Sequence, residues 1–258
     1  MENLLKFIIP LCVATACGGA DSSTTESENN DSLKIAVDSA VVLENQTIID
    51  LPTLLNKYTI VKSFPFKTDS AYFEDISNNY STPLSRQEVI FLSNSILSTD
   101  FTYTSDYIIA DFMFIDSLKA IDKYDGYVDT LDLGMTKESD AFVTEKLILD
   151  DSTTLLLWYV TYSTYEACPY CYGAYLFASV LQNDKIISCV QLGEDSGGAD
   201  APYWGSTLTT FKLTKTGAKI TKINANGGDE DEDGNEIVES STENFELLLV
   251  NNVWVEKK

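Results

Sequence analysis

Apolar runs in the second half of this chain are separated by very short segments rich in Asn, Asp and Gly. Residues 174–181 and 186–192 flank Gln182-Asn183-Asp184-Lys185. Residues 208–213 and 219–223 flank Thr216-Gly217, and residues 245–250 and 253–255 flank Asn251-Asn252. Asp125-Gly126 precedes an alternating stretch from Tyr127 to Leu133. Gly, Asn and Asp tolerate the left-handed backbone that two-residue hairpin turns require. Strands joined by such turns are antiparallel neighbours, since a parallel pair needs a long crossover. The chain is therefore predicted to be mainly β, an antiparallel hairpin-rich meander forming a curved or barrel-like sheet. A propeller-like fragment is the alternative, although no repeat of 40–50 residues shows.

Further strands are expected over residues 58–64, 107–115, 141–149 and 154–162. Residues 193–205, rich in Gly and Asp, read as a loop. One short helix is predicted near 85–93. Ser85 and Glu88 have capping-box spacing, Pro83 lies just upstream, and Val89, Ile90 and Leu92 come next. No helical run recurs between strands, which argues against a parallel βαβ architecture.

Side-chain inventory limits the chemistry. The 258 residues carry a net charge of −23 and include no histidine. Imidazole is the commonest proton-transfer group near neutral pH, so Ser-His-Asp and Cys-His catalysis and His-ligated metal sites are excluded. An acidic surface with one arginine, Arg86, repels phosphate backbones, and no nucleic-acid partner is expected. Hydrophobic residues make up 44%, enough for one substantial core after a polar N-terminal stretch is set aside.

That N-terminal stretch has its own pattern. Lys6 precedes the apolar run of residues 7–16, which is too short to span a bilayer but has the length of a signal-peptide core. It ends Ala14-Thr15-Ala16-Cys17-Gly18-Gly19. Small residues before a cysteine resemble the lipobox of bacterial lipoproteins, with Ala14 where that family favours leucine. The resemblance implies a signal peptide over 1–16, lipidation of Cys17, and anchoring to the outer membrane of the cell envelope, on its surface or periplasmic face. Residues 17–32 are polar and aperiodic and read as a flexible acidic tether, leaving 33–258 as a single β-rich domain. Signal, acidic tether and β-domain together resemble the lipoproteins of Bacteroidetes. Asp-Ser and Asp-Thr pairs at Asp31, Asp38, Asp69, Asp116, Asp129 and Asp151 resemble the O-glycosylation motif of the same lineage, and equally suit turns.

Three constellations could carry function. Cys168-Pro169-Tyr170-Cys171 is identical to the active-site tetrapeptide of glutaredoxins, a resemblance that implies thiol–disulfide exchange. Residues 172–177 read as a strand where that fold opens a helix, so a structural Cys168–Cys171 disulfide with a buried Cys189 is the favoured reading. Counting back from the 183–184 turn places Cys189 opposite Ala178. Asp229, Asp231, Asp233 and Asn235, with Gly234, match the first half of an EF-hand calcium loop but lack its closing glutamate. Tyr203-Trp204, beside carboxylates, is a candidate surface for stacking a sugar.

The expectation is a non-enzymatic, envelope-anchored β-domain. It would touch the membrane through its lipid and bind a glycan, a peptide or another envelope protein, or serve a structural role. The alternatives are a thiol–disulfide oxidoreductase using Cys168 and Cys171, and a calcium-stabilised glycan-binding module.

Overall fold

A computed structural model describes residues 49–61, 64–79, 82–102, 105–119, 128–129, 136–165, 170–231 and 234–258. The signal, the tether, Cys17, Asp125-Gly126, Cys168 and Asp233 lie outside the described residues. In chain order the elements are α1 (Leu51–Asn56), β1 (Thr59–Val61), β2 (Phe66–Lys67), α2 (Ser70–Asn79), α3 (Arg86–Leu92), β3 (Ile96–Leu97), α4 (Ser105–Lys119), β4 (Val128–Asp129), β5 (Thr136–Ile148), β6 (Thr153–Tyr165), β7 (Tyr170–Gln182), β8 (Lys185–Asp200), β9 (Tyr203–Thr214), β10 (Gly217–Glu230), β11 (Glu236–Val250) and β12 (Val253–Glu256).

From β5 to β12 each strand pairs antiparallel with the next, giving the expected meander as one sheet that does not close. The turns do what their residues allow. Asn183 and Asp184 both have positive φ (48° and 63°), as do Asn251 and Asn252 (51° and 64°). These are the conformations that twist a two-residue loop into register with its strands. Gly217, φ 155°, starts β10 where a Cβ would sit 2.1 Å from the Leu247 carbonyl oxygen, so only glycine fits.

The sheet is mixed, not wholly antiparallel. β1 runs parallel to β5, with Ile60 opposite Lys146, and β3 runs parallel to β8, with Ile96 opposite Cys189. α2, α3 and α4 lie between β1 and β5 in the chain, and α4 lies between β3 and β8, so each pair has the long connection that parallel strands need.

β6 is buried on both faces, and alternate side chains feed two cores. Leu155, Leu157 and Tyr159 join Leu176, Val180, Leu192, Phe211, Leu247 and Trp254, with Phe73 and Ile76 of α2. Leu156, Trp158 and Val160 join Val143 and Phe177, with Leu54 of α1, Leu92 of α3 and Phe112 of α4. A strand covered on both sides reads as the continuous apolar run Leu-Leu-Leu-Trp-Tyr-Val of 155–160. Each such side chain contributes about 1.5–3 kcal/mol on burial. β12 returns toward β7 and β8. The Trp254 amide donates to Ser188 Oγ at 3.1 Å and its indole to the Ala178 carbonyl at 3.2 Å.

The predicted helix is α3, and its capping box is complete. Glu88 N donates to Ser85 Oγ at 3.4 Å, and Ser85 N donates to Glu88 Oε2 at 2.7 Å. The other helices lack so local a signal. Residues 107–115, expected as a strand, belong to α4. Ile108, Phe112 and Ile115 are its buried residues, a spacing of four then three, while Phe114 is 46% exposed. A run so rich in Ile, Phe and Tyr satisfies a strand pattern locally, and the packing of one stripe decides for the helix. α2 opens at Asp69, whose Oδ1 accepts the Tyr72 amide at 3.0 Å. That Asp-Ser pair thus starts a helix, and Ser117 of another donates to the Met113 carbonyl within α4 at 2.6 Å.

Residues 193–200 and 203–205 are strand, not loop, with a turn at Ala201-Pro202 between them. β8 continues to Asp200 and β9 starts at Tyr203. The glycines are accommodated because β8 is paired on both sides here, with β7 and β9. Cys189 lies opposite Ser179 and not Ala178, because Ile187 is an extra residue on β8 that shifts the register between Val180 and Leu181.

Candidate functional site

Strand register assembles the site. Across an antiparallel sheet, directly opposed residues point to the same face. One transverse row runs Tyr162, Gly173, Ser196, Thr207, Asn224 through β6 to β10. The next row toward the turn joining β8 to β9 is Cys171, Gly198, Gly205, Asn226. These two rows form the floor of a cleft of about 780 Å³, and Ile108 and Asp111 of α4 form a wall. Gly198 and Gly205 face one another directly, so the floor has no side chains where the second row crosses β8 and β9.

Tyrosines border this depression. Tyr162 and Tyr172 are half-buried, whereas Tyr175 is buried. A Cβ on Gly173 would come within 2.6 Å of the Tyr175 ring, so the ring lies flat over the glycine two residues before it. Amides and hydroxyls supply the polar edge. Thr207 Oγ1 donates to Asn224 Oδ1 at 3.0 Å, and Asn226 is exposed on the arm formed by β10 and β11.

A third row closes the inner end: Tyr175, Glu194, Thr209, Lys222. Glu194 is 4% exposed. Its Oε1 accepts the hydroxyl of Ser196, a residue of the cleft floor, while Oε2 and the neighbouring Thr209 Oγ1 are buried without a hydrogen-bond partner. Burial pushes the Glu194 carboxyl above the usual carboxylate range, a push moderated by the Ser196 bond and the Lys222 charge and reinforced by Asp195. Lys222 itself donates to the Phe101 carbonyl at 3.2 Å. A carboxyl of this kind favours its protonated form more than a surface acid does, and in that form it can donate as well as accept.

The residues singled out from sequence fall in different places. Cys171 lines the cleft from the start of β7. Cys189 is a free, fully buried thiol on another part of β8, with Ser179 Oγ 3.5 Å from its sulfur, and burial pushes it up to about 12. Tyr203 and Trp204 do not line the cleft. Tyr203 is 45% exposed at the start of β9, and the Trp204 indole lies against Gly227 and donates to Glu236 Oε1. Asp229, Asp231 and Asn235 stand at the tip of the β10–β11 arm. There the Asp231 carboxylate already accepts the Asn235 amide at 2.8 Å and its side-chain Nδ2 at 3.1 Å, which closes the turn. Among the described residues no group of three or more Cys, Asp and Glu side chains is placed to hold a metal ion.

Ser196, Thr207, Asn224 and Asn226 are not among the sequence-based candidates. Each is an ordinary strand residue on its own, and the site exists only once β6 to β10 are in register. No family model, no curated protein and no solved structure matches the chain.

Proposed function

We propose that this chain is an envelope lipoprotein, held at the outer membrane through a lipid on Cys17, whose β-domain is a ligand-binding module. The anchor is supported by the signal-like run of residues 7–16 and the small residues before Cys17. The single observation that carries the binding role is the cleft. It has about 780 Å³ of volume, a glycine floor, and tyrosine, amide and hydroxyl groups converging from five strands. Volumes of this size are those of small-molecule sites.

Cys171 supports a staple at this site, not a redox centre. A reactive Cys-X-X-Cys thiol draws its low pKa from a helix N-terminus, whereas β7 is already a strand at Tyr170. A bridge from Cys171 to Cys168 would fix the start of β7 beside the cleft in an oxidising compartment.

The test is a thermal-shift panel of saccharides, peptides and nucleosides on the mature protein, read beside Asn226→Ala, together with mass spectrometry of the mature N-terminus. A compound that raises the melting temperature of the parent and not of the variant supports the reading. A panel without any cleft-dependent shift sinks the binding role, and an unmodified Cys17 sinks the anchor.

A further inference from the structure

We infer that the ligand of this cleft is a short, uncharged oligosaccharide. The inference rests on the ligand-binding reading above and names the chemical class that the lining residues select.

Charge removes the first alternatives. Among the described residues the lining contains one carboxylate, Asp111, and neither lysine nor arginine. Phosphates, uronic acids and other anions would enter the field of a chain with a net charge of −23, and no described lining residue is a cation. A cationic ligand would meet one carboxylate among the described lining residues, where sites for cations gather several.

Polarity removes lipids. Among the described residues the lining offers no aliphatic side chain apart from Ile108 and Ala225, and an acyl chain would cover the Asn226 amide and the Asn224 Nδ2 with nothing to bond them. Backbone pairing disfavours a peptide. Extended peptides gain most of their affinity by adding to a sheet edge. In the cleft floor β7, β8 and β9 are each paired on both sides, so their main-chain groups are already used.

A sugar fits the groups that remain. Pyranose rings present weakly polar C–H faces and a rim of hydroxyls, each both donor and acceptor. Asn226 offers a donor and an acceptor in one plane, which matches a vicinal diol, and Asn224, whose Oδ1 accepts Thr207, adds its Nδ2 donor. Tyr162 offers a half-buried ring beside the glycine floor. Gly198 and Gly205, both buried, add no side chains of their own to that floor. The buried Glu194 carboxyl, bonded to Ser196, fixes the hydroxyl of that floor residue.

The experiment is a parallel screen of neutral oligosaccharides, anionic oligosaccharides and peptides, with calorimetric titration of the mature protein and of Asn226→Ala and Gly198→Leu. The expected result is a neutral saccharide that binds the parent. Asn226→Ala should weaken it about three- to tenfold, the worth of one or two hydrogen bonds, and Gly198→Leu should abolish it by filling the floor. Asn226 is exposed, so its variant keeps the parent melting temperature and the test stands even where Gly198→Leu fails to fold. Absence of neutral-saccharide binding at millimolar concentration overturns the inference, as does binding that Asn226→Ala leaves unchanged. Cleft-dependent binding of a peptide or an anionic glycan would overturn the sugar while leaving the ligand-binding role intact. Silence from all three classes would remove both.

Discussion

Ser179→Ala tests how the helical cover is locked to the sheet. Ser179 sits on β7, fully buried, at the centre of a polar knot. Its Oγ accepts the Trp158 indole N–H at 2.8 Å and donates to the Leu92 carbonyl at the end of α3 at 2.7 Å. Alanine fits the space but leaves the indole N–H without its acceptor and the carbonyl without this donor. Each orphaned buried group costs about 1–3 kcal/mol, so the variant should lose about 2–6 kcal/mol. At about 2–4 °C per kcal/mol for a domain of this size, a 3 kcal/mol loss lowers the melting temperature by about 6–12 °C. A double-mutant cycle isolates the indole part. Trp158→Phe removes the N–H while keeping a ring to stack on Phe177, whose centroid is 4.6 Å from that of Trp158 in the parent. In that background Ser179→Ala should cost about 1–3 kcal/mol less. Urea unfolding of the four proteins supplies the numbers. A loss below about 0.5 kcal/mol, or equal losses in both backgrounds, refutes the knot as a source of stability.

The titrating groups give three further expected outcomes. Burial raises the Glu194 carboxyl, so the folded state holds that proton more tightly than the unfolded chain. Its contribution to stability is complete below the unfolded pKa, about 4.3, and falls as pH rises through the raised value. Glu194→Gln should therefore flatten the decline of stability from pH 4 to 8 in urea titrations, and an unchanged slope would count against the buried acid. Glu88 behaves in the opposite sense. Burial pushes it up, but the bond from Lys57 at 2.8 Å and those from Ser85 outweigh this and hold it below the usual range. That contribution is present above the unfolded pKa and is lost as pH falls through the folded one. Lys57→Met should cost about 1 kcal/mol at pH 7 and progressively less toward pH 3, as read from unfolding curves. The Cys189 thiol, pushed up to about 12 by burial, should resist iodoacetamide at pH 8 in the native protein and react on unfolding; rapid native labelling would show that β8 opens.

Local rules made the meander legible, and tertiary packing hid the rest. Asn183-Asp184 and Asn251-Asn252 mark their hairpins because few other residue pairs accept two positive φ angles. Ser85 and Glu88 mark α3 because the capping box is complete within four residues. α4 is decided at a distance. Ile108 and Phe112 are helical because a stripe must cover Trp158 and Phe177, and nothing within residues 105–119 records that partner. The segment 193–200 misleads for the converse reason. Its glycines and acids resemble a loop locally, yet β7 and β9 supply main-chain partners on both sides. Trp204 reads as an exposed platform because sequence shows an aromatic and not the Gly227 backbone that it covers.

The cleft depends on one residue that carries no chemistry. Leu176 pairs with Gly193 and Phe177 with Gln191, so Leu192 is an extra residue on β8. Before it, Cys189 and Gln191 share the face of Phe177. After it, the residues on that face are Glu194, Ser196 and Gly198, because the insertion reverses the alternation. Without the bulge, Gly193, Asp195 and Gly197 would stand there, placing a carboxylate where Ser196 now meets Thr207. The same point is where β8 changes outer partners, from β3 at Cys189 and Val190 to β9 from Glu194 onward. Gly193 is tied to this place by contact, since a Cβ there would lie 2.8 Å from the Phe73 ring. A period-two reading of β8 carried straight through Leu192 therefore assigns the glycine–serine floor to the wrong side of the sheet. The residues of the site are visible in the sequence, and their convergence is not.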